Sequence, residues 1–211
     1  MYKKSMRRRM AQVCVVLLVA AGFLGLIVYR VRVRQFIFYL DARASQDTVR
    51  QTGTLPTFAS PRIIVSKTDR RLYLMDGEAI ARKYRIGLGW SPEGHKRRAG
   101  DGRTPEGIYH VVVKNPRSRF HFSLGISYPN AADAAAALEA GIISPEEHDR
   151  IVQALKAGAP PPWNTALGGE IFLHGHGASR DWTAGCIALD DAAIEEIYAV
   201  AQVGTPVEIR P

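Results

Sequence analysis

Cysteine is scarce in this chain. Among its 211 residues, only Cys14 and Cys186 carry a thiol. Cys14 lies in an uncharged apolar stretch near the N-terminus, whereas Cys186 lies close to the C-terminus. A thiol inside a membrane segment cannot meet one in a domain outside it, so we expect no structural disulfide. Cys14 is then a small apolar residue of its stretch, and Cys186 is unpaired.

Most of the chain carries no net charge. The net charge of +8 comes entirely from residues 1–50, which hold ten Lys and Arg residues against two Asp. Residues 51–211 hold 18 basic and 18 acidic residues. A nucleic-acid-binding domain carries a basic face, so the sequence argues against nucleic acid as a partner. The content of 46% hydrophobic and 23% charged residues is typical of a globular protein rather than a disordered one.

One long run without charge, residues 11–29, is rich in Val, Leu, Ala and Ile. As a helix it matches the ~30 Å hydrocarbon core of a membrane. Five basic residues precede it and three follow, which favours a cytoplasmic tail at 1–10 and a domain on the outer side of the inner membrane. Residues 30–60 are interpreted as a juxtamembrane stalk. The alternative is a cleaved signal peptide ending near Ala21, but such a peptide has a shorter apolar run.

Residues 61–211 combine strand and helix patterns without internal repeats. Period-two alternation and turn residues predict strands at 62–66, 71–75, 78–81, 107–113, 171–174 and 206–209. The strand at 78–81 can extend through 82–88, and Asp76-Gly77 before it reads as a hairpin turn. Helices are predicted at 131–140, from Ser144 to about 157, and from an Asp190 cap to about 201. Such a mixture without regular β-α alternation indicates a mainly β (α+β) domain.

Two segments near the C-terminus bring together the residues of a cysteine-based site. His174 ends a predicted strand, and Cys186 follows a glycine twelve residues later, just before the Asp190 helix. An imidazole can stabilise the thiolate that cysteine chemistry requires, and the N–H groups of Gly185 and Cys186 are candidate donors to an oxyanion. The alternative is a buried structural thiol beside a histidine that bonds to the backbone. An unpaired thiol in an exported domain is unusual, and it leaves both interpretations open on the residues alone.

The sequence around these residues resembles the L,D-transpeptidase (YkuD-like) catalytic domain. His174-Gly175, followed by Thr183-x-Gly185-Cys186-Ile187, is similar to the signature of that family. Residues 102–109, 126–130 and 204–209 resemble its Thr-Pro-Glu-Gly strand entry, the segment before its His strand and its closing strand. The resemblance covers residues 61–211 and implies a β-sandwich or barrel-like domain with short helices.

The sequence departs from the best-known members in three places. The spacer between His174 and Thr183 is shorter, and Ala184 replaces a frequent histidine. Both features resemble a subgroup with Asp-Trp-Thr-x-Gly-Cys that includes hydrolase-like members, so the acyl acceptor stays open. Residues 138–168 resemble a helical insertion where the family has a short link.

The resemblance implies a role for each site residue. Cys186 would attack the carbonyl between the diamino acid and D-Ala of a peptidoglycan stem peptide, and His174 would take the thiol proton. The carbonyl of Gly175 would orient the imidazole, and Gly185 would contribute to the oxyanion site. The acyl group would pass to a second stem peptide or a lipoprotein, giving cross-linking or remodelling of the wall, or to water. No cofactor and no metal are implied.

Other roles remain open. His176 would share a strand face with His174, so it is an alternative base, a substrate contact or, with His174 and Cys186, a zinc ligand. Thr183 is expected to shape the loop or contact substrate, and Trp182 to pack or contact substrate. Arg103 lies in a basic stretch, residues 82–119, that is either a solvated surface or attracts stem-peptide carboxylates. A wall-binding module without catalysis is the alternative function.

Overall fold

Eight strands form one curled sheet in the computed structural model, which describes residues 57–211. The strands are β1 (Pro61–Ser66), β2 (Arg71–Asp76), β3 (Ala79–Arg85), β4 (Gly107–Ser118), β5 (His121–Ile126), β6 (Phe172–His174), β7 (Ile187–Ala188) and β8 (Pro206–Arg210). Across the sheet their order is β3-β2-β1-β8-β4-β5-β6-β7. The β1–β8 and β6–β7 pairs are parallel, and the others are antiparallel.

The first hairpin forms as the alternation of its residues predicts. Leu72 and Leu74 of β2 are fully buried, whereas Tyr73 between them is half-buried. Gly77 has a φ of 57° in the turn, a conformation that glycine adopts without steric cost. The returning strand β3 continues to Arg85, which confirms the predicted extension beyond residue 81 as far as that residue.

The chain beyond β3 reaches the opposite edge of the sheet. The N–H of Gly87 donates to the carbonyl O of Ala188 at 2.9 Å, and the N–H of Ala188 donates back at 2.8 Å. Gly89 forms a parallel bridge with Thr183. These bridges curl the sheet into a half-barrel around one apolar core, so the expectation of a mainly β, α+β domain is confirmed.

Three short helices accompany the sheet: α1 (Ala131–Glu139), α2 (Pro145–Lys156) and α3 (Asp191–Val200). Helix α3 packs against β5 and β6, whereas α1 and α2 pack against each other. Both α1 and α2 begin with a capping box, formed by Asn130 with Asp133 and by Ser144 with Glu147. These two helices and the segment after them share a second apolar cluster of Ala134, Ala137, Ile143, Ile151 and Leu167. The segment 138–168 therefore contains α2 and shares a small core with α1; that it is an insertion in the family's fold stays a prediction.

Asp190 occupies the N-cap position of α3, but its side chain does not cap the helix. Its Oδ1 instead accepts from the N–H of Ala178 at 3.2 Å, because the loop after β6 lies beside the helix start. The sequence also missed two strands. In β5 the last four of six residues are buried, so it lacks the alternation that predicts a strand, and β7 has only two residues.

Within residues 57–211, none of the helices is long and apolar enough to cross a membrane. The predicted tail at 1–10, the anchor at 11–29 and the stalk up to residue 56 lie outside the described residues.

Candidate active site

The parallel pairing of β6 and β7 brings Cys186 and His174 to one face of the sheet. Leu173 lies opposite Ile187, and His174 lies opposite Ala188. Side chains alternate along a strand, so Cys186, one residue before Ile187, projects to the same face as His174. His174 lies two positions beyond the residue opposite Cys186, which corresponds to roughly 8 Å between the two Cα atoms.

The loop before Cys186 is held by the hydroxyl of Thr183, a buried residue. This hydroxyl donates to the carbonyl O of Cys186 at 2.7 Å and accepts from the N–H of Gly185 at 3.1 Å. Gly185 has a φ of 137°, and a Cβ added to it would lie 2.7 Å from the carbonyl O of Arg103. Both the backbone conformation and the space therefore require glycine.

The N–H of Gly185 has a partner within the loop, because it donates to Oγ1 of Thr183 at 3.1 Å. Its role as a donor to an oxyanion, together with the N–H of Cys186, stays a prediction. The two hydrogen bonds of Thr183 correspond to the loop-shaping alternative for that residue.

The thiol of Cys186 lies against the chain that enters β6. Its Sγ accepts from the N–H of Phe172 and donates to the carbonyl O of Glu170, both at 3.4 Å. Glu170 has a φ of 54°, a conformation that non-glycine residues rarely adopt and that is found at functional sites. Burial raises the pKa of the Cys186 thiol, and the bond from the Phe172 N–H opposes this by stabilising the thiolate. The thiol is therefore protonated at neutral pH.

The imidazole of His174 is buried, with 3% of the residue exposed. Its Nδ1 lies 2.8 Å from the carbonyl O of Gly175, as predicted for the orienting carbonyl. A carbonyl only accepts, so Nδ1 carries the proton and Nε2 has the free lone pair. Burial lowers the pKa of His174, with further lowering from the charges of His176 and Arg119. The imidazole is therefore neutral at neutral pH.

The thiol and the imidazole do not form a resting ion pair. In the described part of the chain, no hydrogen bond joins Cys186 to His174. Both pKa shifts favour the uncharged forms of these two groups. The arrangement suits proton transfer to Nε2 of His174 during attack, rather than a preformed thiolate.

His176 does not share the strand face of His174. Strand β6 ends at His174, and His176 is exposed with a φ of 75°. Its N–H donates to Oδ1 of Asp191 at 2.8 Å. The expectation that both histidines project from one strand is therefore wrong. Across residues 57–211, no group of three or more His, Cys, Asp and Glu side chains is arranged to hold a metal ion.

Asp181 and Trp182 fix the loop that leads to Thr183. The carboxylate of Asp181 accepts from Nη2 of Arg70 at 2.8 Å and from the N–H of Leu88 at 2.9 Å. Nε1 of Trp182 donates to the carbonyl O of Gly177 at 3.1 Å, and the indole packs edge-on against the His174 ring at 5.6 Å. A substrate contact by Trp182 stays a prediction.

The side chain of Arg103 is directed to a neighbouring loop rather than to the thiol. Its Nη1 lies 3.5 Å from the carbonyl O of His95. In the same basic stretch it is Lys96 whose charge acts on Cys186, where it lowers the pKa of the thiol against the larger effect of burial. Lys96 is 3% exposed, and its Nζ donates to Asp101 at 2.9 Å. A substrate contact by Arg103 stays a prediction.

Two aromatic residues at the site were not predicted. Phe120 stacks on the His174 ring with 4.7 Å between centroids. It lies at the turn between β4 and β5, so it could not be found without predicting β5. Trp90 is the second residue, and its backbone N–H donates to the carbonyl O of Thr183. The residue is 57% exposed. Its ring lies on Gly102, where an added Cβ would approach the indole within 2.2 Å.

Most of the chain matches one protein family. The model of the YkuD family, described as the L,D-transpeptidase catalytic domain, matches residues 60–209. The chain belongs to this family. The match covers the curled sheet from the start of β1 through Ile209 in β8, and it includes the Cys186 loop. Among curated proteins, none matches the chain.

Solved structures that the chain resembles include a cell-shape protein, Bd1075 and L,D-transpeptidases. The helical cell shape determining protein Pgp2 from Campylobacter jejuni is 22% identical with a TM-score of 0.50, over 74% of this chain and 50% of Pgp2. Bd1075 from Bdellovibrio bacteriovorus is 22% identical with a TM-score of 0.47, over 72% of this chain and 48% of Bd1075. An L,D-transpeptidase from Mycobacterium smegmatis is 10% identical with a TM-score of 0.43, over 72% of this chain and 59% of the other. The chain spans about half the length of Pgp2 and Bd1075.

Proposed function

We propose that this YkuD-family protein transfers acyl groups between peptidoglycan stem peptides through a thioester on Cys186. Membership of an L,D-transpeptidase family supports the substrate class. The observation that carries the chemistry is the β6–β7 register, which brings the Cys186 thiol and the neutral His174 imidazole to one face. The alternative outcome at the same residues is hydrolysis of the same bond.

The first half of the reaction forms the thioester. Nε2 of His174 accepts the thiol proton while Sγ of Cys186 attacks the carbonyl carbon of the bond between the diamino acid and D-Ala. The carbonyl oxygen becomes an oxyanion, which the backbone N–H of Cys186 stabilises. When the tetrahedral intermediate collapses, the imidazolium returns its proton to the leaving amine of D-Ala. The D-Ala leaves, and the rest of the stem peptide stays bound to Sγ.

The second half releases the acyl group. An amine of a second stem peptide or of a lipoprotein attacks the thioester carbonyl and passes its proton to Nε2 of His174. The C–S bond then breaks, and Sγ regains a proton from the imidazolium. Water in place of the amine gives a carboxypeptidase. The same histidine serves as base and acid in both halves.

A location at the inner membrane belongs to the proposal. The uncharged run at 11–29 and the excess of basic residues before it support a single-pass anchor with the catalytic domain in the periplasm. The full-length chain should then stay with the membrane fraction after extraction at alkaline pH. Release of the intact chain into the soluble fraction would contradict the anchor.

The chemistry is tested with the full-length chain and muropeptides of defined sequence, with products identified by mass. We expect a cross-linked or trimmed product from the wild type, and none from Cys186→Ala or Cys186→Ser. A carbapenem should add its mass to the wild type but not to these variants. Full turnover by either variant would contradict the proposal.

The same experiment separates the alternatives. Loss of D-Ala without a cross-link identifies a hydrolase. The resting thiol and imidazole are both uncharged and not bonded to each other, which is the observation that favours a wall-binding module. Binding of muropeptides by a wild type that neither turns them over nor reacts with a carbapenem would identify such a module.

A further inference from the structure

The turn of the β4–β5 hairpin covers the imidazole of His174. No step of the proposed reaction uses this turn. Phe120 lies in this turn and stacks on the imidazole with 4.7 Å between centroids and 26° between planes. The same phenyl ring makes edge contacts with Trp182 at 5.9 Å and with His176 at 5.6 Å. The guanidinium of Arg119 lies 4.7 Å from the centroid of Phe120.

The backbone of the turn is joined directly to the segment that orients the imidazole. The carbonyl O of Phe120 accepts from the N–H of Gly175 at 2.9 Å. The carbonyl O of Gly175 in turn lies 2.8 Å from Nδ1 of His174. A Cβ added to Gly175 would lie 2.9 Å from the carbonyl O of Phe120, so this approach requires glycine. The turn therefore contacts the ring of His174 and also holds Gly175, the residue whose carbonyl fixes the tautomer of that ring.

The hairpin is also fixed to helix α3. Nε2 of His121 lies 2.6 Å from Oε1 of Glu195. Nζ of Lys114 donates to the carbonyl O of Tyr198 at 2.7 Å and to that of Ala201 at 2.6 Å. These contacts hold the hairpin to the middle and the C-terminal end of the helix that follows the Cys186 segment. Phe120 consequently has a fixed position relative to His174.

We propose that Phe120, with the guanidinium of Arg119 beside its ring, is a positioning residue for the base His174. Phe120 excludes water from one face of the imidazole and limits its rotation. The positive charge of Arg119 disfavours a second positive charge on the imidazole. The inference rests on the proposed role of His174 as the base.

The charged and titratable groups around His174 are consistent with this role. His176 lies in the same segment, and Arg119 lies in the hairpin turn; both lower the pKa of His174, after the larger effect of burial. The carboxylate of Asp191 in α3 is bonded to the N–H of His176. The Cys186 thiol on the same face is uncharged at neutral pH. Arg119 is therefore the cation from outside the segment that acts on the imidazole.

The test uses the full-length chain with Phe120→Ala, Phe120→Leu and Arg119→Gln. Arg117→Gln is the matched control, because it removes the same charge from the same hairpin at an exposed position. For each variant, NMR gives the pKa of the His174 ring, assigned with His174→Gln, and mass spectrometry gives the rate of carbapenem acylation against pH.

We expect Phe120→Ala to lower the acylation rate on the pH plateau by about 10–100-fold, the scale of effect that a small misplacement of a catalytic group produces. It also admits water to the ring, so the pKa of His174 rises and the acid limb of the profile moves to higher pH. Phe120→Leu retains the apolar cover but not the stacked plane, so its rate falls while its acid limb stays. Arg119→Gln raises the pKa of His174 and leaves the plateau in place, and Arg117→Gln changes neither.

Two results would overturn the inference. One is an Arg119→Gln variant whose His174 pKa equals that of Arg117→Gln. The other is a folded Phe120→Leu or Phe120→Ala variant with the wild-type rate. The NMR titrations of Arg119→Gln and Arg117→Gln need neither activity nor the Phe120 variants, so they remain informative if Phe120→Ala fails to fold. A wild type that is never acylated would contradict the proposed function, whereas normal acylation with unaffected variants would contradict only this inference.

Discussion

Gly185→Ala perturbs the nucleophile loop without changing a reacting atom. An added Cβ would lie 2.7 Å from the carbonyl O of Arg103, below any normal contact, so one of the two segments must move. The Arg103 segment is held at its own N–H, which donates to Asp101 at 3.0 Å. The displacement therefore falls on Gly185, on its bond to Thr183 and on the adjacent Cys186.

The expected magnitudes follow from these contacts. Holding alanine at a φ of 137° costs about 1–3 kcal/mol, and the contact with Arg103 adds to that. In a chain of this size each kcal/mol lowers the melting temperature by about 2–4 °C. A shift of Cys186 by a fraction of an ångström lowers the rate of attack, by up to about 100-fold for a full 1 Å.

The assay measures the melting temperature and the carbapenem acylation rate of the full-length chain. Gly204→Ala is the control, because Gly204 also has a left-handed backbone, with a φ of 93°, but an added Cβ there meets nothing within 4 Å. We expect both variants to lose stability and only Gly185→Ala to lose acylation rate. A Gly185→Ala variant that is acylated as fast as Gly204→Ala would refute the proposed geometry of the loop.

Three further predictions concern His174, the Lys96–Asp101 ion pair and His176. Because burial lowers the pKa of His174, the acylation rate should be retained as pH falls below about 6.5, the ordinary value for histidine, and should decline only in more acidic solution; a midpoint above that value would contradict the neutral base. Asp101→Ala leaves the Lys96 ammonium buried without its carboxylate, which should lower the free energy of unfolding by about 3–5 kcal/mol. The Lys96→Met/Asp101→Ala double variant should recover the part due to the unpaired charge, but not the part due to the backbone N–H groups that Asp101 accepts from; equal loss in both variants would mean that the unpaired charge of Lys96 is unimportant. His176→Ala should lose far less acylation rate than the roughly 100-fold or more expected on removal of a general base, and a loss of that size would transfer the role of base to His176.

The sequence predicted the parts of the fold that are encoded locally. The hairpin turn at Gly77 and the cap at Ser144 depend on residues next to one another, and both are present. Strand β5 was missed because its last four residues are all buried, which removes the alternation that marks a strand. Asp190 was assigned as a side-chain cap because the sequence could not reveal that Ala178 lies beside it and takes the carboxylate instead.

The same division applies to the candidate site. Cys186, His174 and the Gly175 carbonyl lie within one short stretch of chain, so a local motif was sufficient to find them. The hydrogen bond between Gly185 and Thr183 is equally local, yet it depends on the loop conformation, which the sequence does not reveal. Phe120 is brought to His174 by a hairpin, and Lys96 acts on the Cys186 thiol through its charge from a loop elsewhere in the chain. No pattern within either segment indicates these interactions.

The resting contacts of the thiol indicate how a protonated cysteine could serve as the proposed nucleophile. When Sγ loses its proton, it gives up only the bond to the carbonyl O of Glu170 and keeps the bond from the N–H of Phe172. An N–H donor is stronger towards a thiolate than towards a thiol, because the acceptor then carries a charge. The cost of burying the charge is therefore smallest when proton transfer to His174 and attack on the carbonyl occur together, since the charge passes at once to the oxyanion. A soluble alkylating reagent needs the free thiolate before it reacts, so slow alkylation at neutral pH is expected of this site even when it is catalytic. Acylation by a carbapenem is the stricter test, because it presents Sγ with the carbonyl that draws the charge away.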